Sequence, residues 1–520
     1  MTSWKTRSAL ALVVLGFVAS GMLFIPRLGI EVDEAIITNG IYPHGGVLYS
    51  WTFGGNELPL MLISYLGALK TWFYSLLFWL TPPGPISLRL PTLIAAAVAI
   101  CFFFALLDRT VGRRAAWIGT VLLATDSSYL LVNAIDYGPV ALQFLFKLAA
   151  LLFLLKFYES GSKRALAGGF FLLGLALWDK AIFVWAIFGL ALATVAVFAP
   201  ELRRVLTPAN VGIAALAMIV GALPLVIYNI AEPLGTLGNG GVEPKLMLAK
   251  TEFLQRSMEG QILFGFIAAP KPGPKLGESR HWYESLSLFV SRWTRQPHRS
   301  LTMYAAIACV LALPWVWRTA GKPILFGTIA CLGTWFAMAL TKDAGATVHH
   351  AVLVWPFHFL VIAAAVSRLR LIPAAAVTVL LCGSSLAVTN QLYADLIRNG
   401  PGIRWTDAME PLQSYLRSLK NTPIVATDWG FFETMTLLSE GTLPLESADT
   451  RSDETILAMI GAPDKVFVAF APPFAFQPQV LAGIQRVAQR ENYEREPMTT
   501  IYDRHGRATF DVFRFRKLHL

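Results

Sequence analysis

The segment Arg27–Gly46, RLGIEVDEAIITNGIYPHGG, places two adjacent carboxylates, Asp33 and Glu34, directly after the apolar run ALALVVLGFVASGMLFI. A carboxylate at a membrane surface can take the proton of a hydroxyl or amine as that group attacks a phosphate-linked centre. Cations facing it would hold the departing phosphate, because phosphate charge is met by arginine forks and lysine point charges. Asp33 is the candidate base, and Arg89, Lys180 and Lys342 are the candidate phosphate ligands. No P-loop, GxSxG or HExxH pattern occurs, so nucleotide hydrolysis, serine-esterase and zinc-protease chemistry have no support.

These groups need a scaffold that gathers them on one side of a bilayer, and the composition provides for one. Of the 520 residues 55% are apolar and only 15% charged, with a mean hydropathy of +0.56, which describes a chain dissolved in lipid rather than a soluble domain. The net charge of +10 sits in short clusters between apolar runs, where basic residues orient helices. No nucleic-acid partner is therefore expected. Cys101, Cys309, Cys331 and Cys382 lie inside apolar runs without metal or disulfide spacing and read as packing residues.

Apolar runs of spanning length begin near Ala9, Arg89, Ala115, Val140, Ala165, Ala181, Val211, Leu301, Ile324, Ala351 and Leu371, which predicts about eleven spans. The first lacks a convincing cleavage site and is read as a retained span. A further run, Leu58–Leu80, is assigned to a juxtamembrane helix, with Lys70 in mid-run and Trp72, Tyr74 and Trp79 nearby. Only then do Lys5/Arg7, Arg109/Arg113/Arg114, Lys156/Lys163/Arg164, Arg203/Arg204, Arg318/Lys322 and Arg368/Arg370 share one face, the cytoplasmic one.

The opposite, external face then collects a first loop over about 27–88 and a long loop over about 228–300. It also collects Asp33, Glu34, Arg89, Asp136, Asp179, Lys180 and Lys342, with His44, Glu57, Tyr137, His349 and His350 as pocket residues. Ionisable groups at bilayer depth are costly and mark a site or a polar cavity. His349 and His350 have no carboxylate or cysteine at ligand spacing, so no metal or other cofactor is expected. In the long loop, APKPGPKLG (Ala269–Gly277) argues for a mobile segment over the site. Residues 1–390 form the membrane domain, and 391–520 a small α/β domain, with TPIVATDWGFF and DKVFVAFAPP as strands leading into turns. An odd span number places that domain outside.

Several segments read in order carry a resemblance: VDEAIITNGIY, NELPLMLISYLGAL, ISLRLPTLIAAAVAICFFFALLDRTVGRR, LATDSSYLLVNAIDYGPVALQFLF, AGGFFLLGLALWDKAIFVW and HHAVLVWPFHFL. Over roughly Leu10–Arg370 the chain resembles the GT-C membrane glycosyltransferases, and among them the protein O-mannosyltransferase and aminoarabinose (lipid A) transferase relatives. The resemblance implies an inverting enzyme that moves a sugar from a polyprenyl-phosphate donor to a lipid, glycan or protein acceptor at the external face of a bacterial-type inner membrane. It also implies Asp33 as base with Glu34 beside it, Asp136 as the second external acid, Arg89 as the arginine opening the second span, Lys180 as the family's lysine, and His350 near the pocket. Departures are Asn133, where relatives often carry arginine three residues before the second acid, Ala181-Ile182 in place of Gly-Pro, and Glu57 before Leu58-Pro59. A flippase for polyprenyl-linked amphiphiles and a catalytically inactive GT-C subunit are the alternatives; the absence of an internal repeat and the one-sided acids favour the enzyme.

Overall fold

The structure, a computed structural model, describes residues 4–42, 45–236, 238, 241–294, 298–342, 344–448 and 452–518. An apolar helix, α1 (Trp4–Phe24), leads through a short 3-10 turn to α2 (Val32–Asn39). A small antiparallel sheet follows, β1 (Tyr49–Phe53), β2 (Asn56–Ile63) and β3 (Leu66–Gly67), and then α3 (Leu69–Phe78). The bundle continues with α4 (Pro85–Thr110), α5 (Arg113–Thr125), α6 (Ser127–Ala134), α7 (Ala141–Ser160), α8 (Lys163–Asp179), α9 (Val184–Val205), α10 (Pro208–Gly221) and α11 (Leu223–Ala231). The long loop carries α12 (Met247–Met258), α13 (Phe264–Ile267) and α14 (Trp282–Thr294). The membrane part closes with α15 (Thr302–Leu311), α16 (Leu313–Leu340), α17 (Val348–Ala351), α18 (Phe357–Val366) and α19 (Leu371–Asn399).

Among the described residues, six helices, α1, α4, α7, α9, α16 and α19, are long and apolar enough to cross a bilayer. Three bent pairs raise the number to nine: α5 with α6 at 56°, α10 with α11 at 75°, and Val348–Val354 with α18 at 41°. The chain is thus a multi-pass membrane protein. The sequence expectation of about eleven also counted α8 and α15. With 17 residues α8 lies at the lower limit of a span, and the 10 residues of α15 rise only about 15 Å against a hydrocarbon core of roughly 30 Å. Arg318 and Lys322, expected in a loop, lie inside the continuous α16. Leu58–Leu80 likewise forms β2, β3 and the ten-residue α3 rather than one juxtamembrane helix; Pro59 disfavours a continuous helix and sits in the central strand β2 next to the register shift opposite Tyr49 and Ser50, where a bulge tolerates it.

The bundle packs through small residues, as expected where lipid removes the hydrophobic drive between helices. At Gly189 of α9 a Cβ would fall 2.2 Å from Thr334 Oγ1 and 2.6 Å from the Ala330 carbonyl of α16. The largest core cluster joins α1, α4, α6, α7 and α18 through Phe17, Phe103, Tyr129, Phe144 and Phe359. One end of the bundle gathers basic residues: Arg113 contacts Asp108 (2.7 Å) and Thr6 (3.2 Å), Arg114 donates to the Leu369 carbonyl (2.7 Å), and Arg109 pairs with Glu159. Asp33, Asp136 and Lys180 lie at the other ends of these helices.

Because α19 runs on to Asn399, the C-terminal unit begins after it. Its five-stranded sheet has the order β5 (Leu445–Ser447), β4 (Ile424–Ala426), β6 (Val466–Phe470), β8 (Ala508–Lys517), β7 (Tyr493–Tyr502). β4 runs parallel to β5 and β6, and β8 antiparallel to β6 and β7. Helices α20 (Met409–Ser418) and α21 (Phe432–Leu438) cover one face through Met409, Leu412 and Met435, while α22 (Asp453–Ile460) and α23 (Pro478–Arg490) cover the other through Ile460, Ile484 and Val487. The central strands β4 and β6 are buried on both sides, which is why VFVAF reads as a continuous apolar run.

This unit is keyed into the first loop. The Gly29 amide donates to the Trp405 carbonyl (2.8 Å), and a Cβ on Gly29 would stand 1.9 Å from the Thr406 carbonyl oxygen. Only glycine allows that approach. Gly29→Ala is expected to destabilise the protein by about 1–3 kcal/mol through overpacking against backbone. Thermal unfolding in detergent measures this, and an unchanged midpoint would mean that the two segments part without cost.

Candidate active site

Glu31, rather than Asp33 or Glu34, caps α2. Its carboxylate accepts from the Asp33 amide (2.7 Å), and Glu34, three residues on, accepts from the Glu31 amide (3.3 Å), forming a capping box. Asp33 therefore stands in the first turn with its side chain uncommitted. It is half-buried, and among the described residues its carboxylate has no hydrogen-bond or ion-pair partner.

The acids around it are engaged. Glu34 is fully buried; its Oε2 accepts from Arg89 Nε (2.6 Å), and its Oε1 from Arg89 Nη2 (2.8 Å) and the Trp405 indole (3.1 Å). Arg89 also donates to the carbonyls of Ile25 (3.1 Å), Leu28 (2.9 Å) and Gly29 (2.6 Å), so all its N–H groups are held within the protein. The expectation of Arg89 as a phosphate ligand and Glu34 as a catalytic acid does not fit this burial. Together they fix the loop that carries Asp33. Glu31 pairs with Arg404 (2.9 Å); burial pushes its carboxyl well above the usual range, Asp33's charge adds to the rise, and Arg404 opposes it.

Asp136, expected as a second catalytic acid, is buried with both oxygens on Lys70 Nζ (2.7 and 2.8 Å). It occupies a left-handed turn (φ +44°) ahead of Gly138 (φ +65°), where a side chain at Gly138 would collide with the His349 ring. Lys180 closes the turn by donating to the Gly138 carbonyl (2.7 Å), and its backbone pairs with Leu66 of β3. Burial pulls the Lys180 ammonium down to about 8, and the Asp33 charge is the largest influence opposing that fall. The same carboxylate acts on Tyr65, Tyr137 and Glu433. Asp33 and Lys180 thus feel each other's charge without a direct ion pair among the described residues.

The Tyr137 ring packs against His349 (5.0 Å) and Trp405 (5.4 Å). His349 meets His350 edge-on (4.4 Å), and His350 Nδ1 accepts from the Gly345 amide (3.1 Å). These three pocket candidates are therefore contiguous. Glu57 is not with them: it lies exposed on β2 opposite Thr52. Lys342 is also exposed, tied by its amide to Gly241 (2.7 Å), and no contact joins it to Asp33 or Lys180. His44 lies outside the described residues. Among the described residues no three His, Cys, Asp or Glu side chains gather as a metal site.

Four participants escaped the sequence reading. Lys70 was visible as a lysine inside an apolar run, a pattern that marks a buried partner as readily as an interfacial anchor. Lys250 of α12, buried, donates to the Ala339 (2.9 Å) and Thr341 (2.7 Å) carbonyls beside Gly345 and so docks the long loop at the site. Arg404 and Trp405 carry no local signal of their contacts.

A family described as dolichyl-phosphate-mannose-protein mannosyltransferase matches residues 68–228, the stretch that holds Lys70, Arg89, Asp136 and Lys180. No curated protein matches the chain by sequence. In three dimensions the chain is similar to ArnT from Cupriavidus metallidurans bound to undecaprenyl phosphate, with a TM-score of 0.58, 12% identity and coverage of 98% of both chains. It is also similar to an oligosaccharyltransferase from Archaeoglobus fulgidus tethered with an acceptor peptide, with a TM-score of 0.52, 12% identity, and coverage of 100% of this chain and 75% of that one. The chain has the GT-C fold. A further GT-C match, to the archaeal oligosaccharyltransferase AglB in complex with an inhibitory peptide and a dolichol-phosphate, has a TM-score of 0.50 at 12% identity over 99% of this chain and 75% of that one. Within the GT-C fold of this protein, the first loop, the 136–138 turn and Lys180 meet at one end of the bundle.

Proposed function

We propose that this protein is an inverting glycosyltransferase that uses a polyprenyl-phosphate sugar donor at the external face of a bacterial-type inner membrane, with its N-terminus cytoplasmic and its C-terminal unit external. The observation that carries the reading is the Asp33 carboxylate left uncommitted at the mouth of α2 while Glu31, Glu34 and Asp136 around it each hold a cation, with Lys180 near enough to feel its charge. In a single displacement the acceptor oxygen or nitrogen attacks the anomeric carbon, its proton passes to the Asp33 carboxylate, and the bond from that carbon to the phosphate oxygen breaks with its electron pair on the phosphate. Lys180, with one N–H on Gly138 and two left over, meets the growing phosphate charge. Undecaprenyl phosphate on ArnT and dolichol-phosphate on AglB support a lipid-phosphate donor.

The direct test supplies the purified protein with a mixed pool of polyprenyl-phosphate sugars and membrane extract as acceptor. Loss of one donor with appearance of a sugar-modified product supports the transferase and names its sugar. Transbilayer movement of donor without consumption would replace it by a flippase, and donor binding with neither event by an inactive subunit.

The protonation of Lys180 gives this reading a pH signature. The cation that meets phosphate exists below its pKa, so kcat/KM should fall as pH rises through about 8. Arginine stays protonated across that range. A pH–rate series should show the alkaline limb in the wild type and its disappearance in Lys180→Arg; persistence of the limb would assign it to another group.

A further inference from the structure

Away from Asp33, the structure holds a cavity of about 410 Å³. Its walls are the end of α1, the strap that precedes α14, the end of α19 and the 503–507 turn between β7 and β8. The strap includes the Pro/Gly-rich segment expected to be mobile, and here it is docked: Ala269 bonds the Gly400 carbonyl (3.0 Å), Lys275 the His505 carbonyl (2.9 Å) and Gly277 the Arg398 carbonyl (3.3 Å).

Its position is that of a membrane surface. α1 and α19, both of spanning length, end at the cavity. Beside it, α14 exposes Trp282, Leu286, Phe289 and Trp293 along one stripe and buries Glu284, Ser287 and Ser291 on the other side; Arg398 of α19 reaches Ser291 (3.1 Å). A helix with an apolar outer stripe and flanking tryptophans lies in the interfacial layer. Lipid headgroups are therefore the molecules at hand.

The lining selects among them. Arg27 pairs with Glu284 and Arg504 with Asp407 (3.7 Å). Of the charges that remain, Lys275 and Arg280 outnumber Glu278, and both cations are exposed at the rim. Deeper in the wall stands His505, only 8% exposed, with neither ring nitrogen partnered among the described residues. Its ring is wedged between Gly277 and Gly400, where added Cβ atoms would lie 2.8 and 2.4 Å from the nitrogens. The ring thus closes the inner wall of the cavity against the glycine strap.

We propose that this cavity binds the anionic headgroup of a bilayer lipid, with Lys275 and Arg280 on its phosphate. The site is separate from the Asp33 centre and does not rest on the transfer reaction. In the test, the full chain in neutral detergent is titrated with dioctanoyl phosphatidic acid, dioctanoyl phosphatidylcholine and inorganic phosphate, with binding read by calorimetry and native mass spectrometry.

The expected result is tighter binding of phosphatidic acid than of phosphatidylcholine, reduced roughly thirtyfold in Lys275→Ala/Arg280→Ala. The double variant changes exposed side chains and should unfold at the wild-type temperature. Equal binding of phosphatidylcholine would overturn the proposal. Inorganic phosphate binding as tightly as the lipid would name free phosphate as the ligand and overturn it as well. Binding lost in Lys180→Ala but intact in the double variant would place the lipid at the Asp33 centre and end the assignment.

Discussion

Asp33→Asn should lower sugar transfer by about 10²–10⁴-fold, the usual contribution of a positioned general base, while donor affinity stays close to that of the wild type. The amide keeps the size of the carboxylate and loses its basicity. The fold should tolerate the change, because the carboxylate of Asp33 has no described partner to lose and the capping of α2 rests on Glu31 and Glu34. Turnover and donor binding measured separately distinguish loss of the base from loss of donor affinity. Undiminished turnover in Asp33→Asn would sink the base assignment. A matching loss of donor affinity would make Asp33 a binding group acting through Lys180, whose positive charge it supports.

Why Asp33 was legible and its setting was not is a matter of sequence distance. Adjacent acids just past an apolar run stand out at once, and the basic clusters correctly gathered Arg109, Arg113 and Arg114 with the start of α1. Strands β4 and β6 were readable from TPIVATDWGFF and DKVFVAFAPP because a buried parallel strand leaves an unbroken apolar run. The hairpin β7–β8 was missed, since its charged, half-exposed outer strand YEREPMTTIY looks like surface loop. Charge alone could not tell Arg89 from a ligand. Its partner Glu34 lies 55 residues away and Trp405 meets Glu34 across 371 residues, so pairing that cancels a charge is invisible to hydropathy and spacing. Lys70 failed for the same reason, its carboxylate being 66 residues on. Bent spans such as α5–α6 also mislead a count by length. There the break is built by Asp126, which caps α6 by accepting from Tyr129 (2.7 Å) and also accepts from the Trp355 indole (2.8 Å).

The Arg89–Glu34 pair yields the largest expected effect on folding. Arg89→Ala strands the Glu34 carboxylate where no water reaches it and frees the carbonyls of Ile25, Leu28 and Gly29 at once. Removing one partner of a buried ion pair costs about 3–5 kcal/mol. Glu34→Gln should cost less, because an amide still accepts from Arg89 and Trp405 while its own N–H groups lack partners. Replacing both residues together, as Glu34→Leu/Arg89→Met, removes the charges with their mutual need and should be less harmful than Arg89→Ala alone. Thermal unfolding of the wild type, Glu34→Leu, Arg89→Met and the double variant in one detergent closes the cycle. A double variant as unstable as the sum of its parts would mean the two side chains act independently. If the pair instead proves coupled, and donor binding survives in the double variant while turnover falls, then Arg89 serves catalysis only by holding the loop that aims Asp33. A phosphate ligand would show the reverse, with donor affinity lost first.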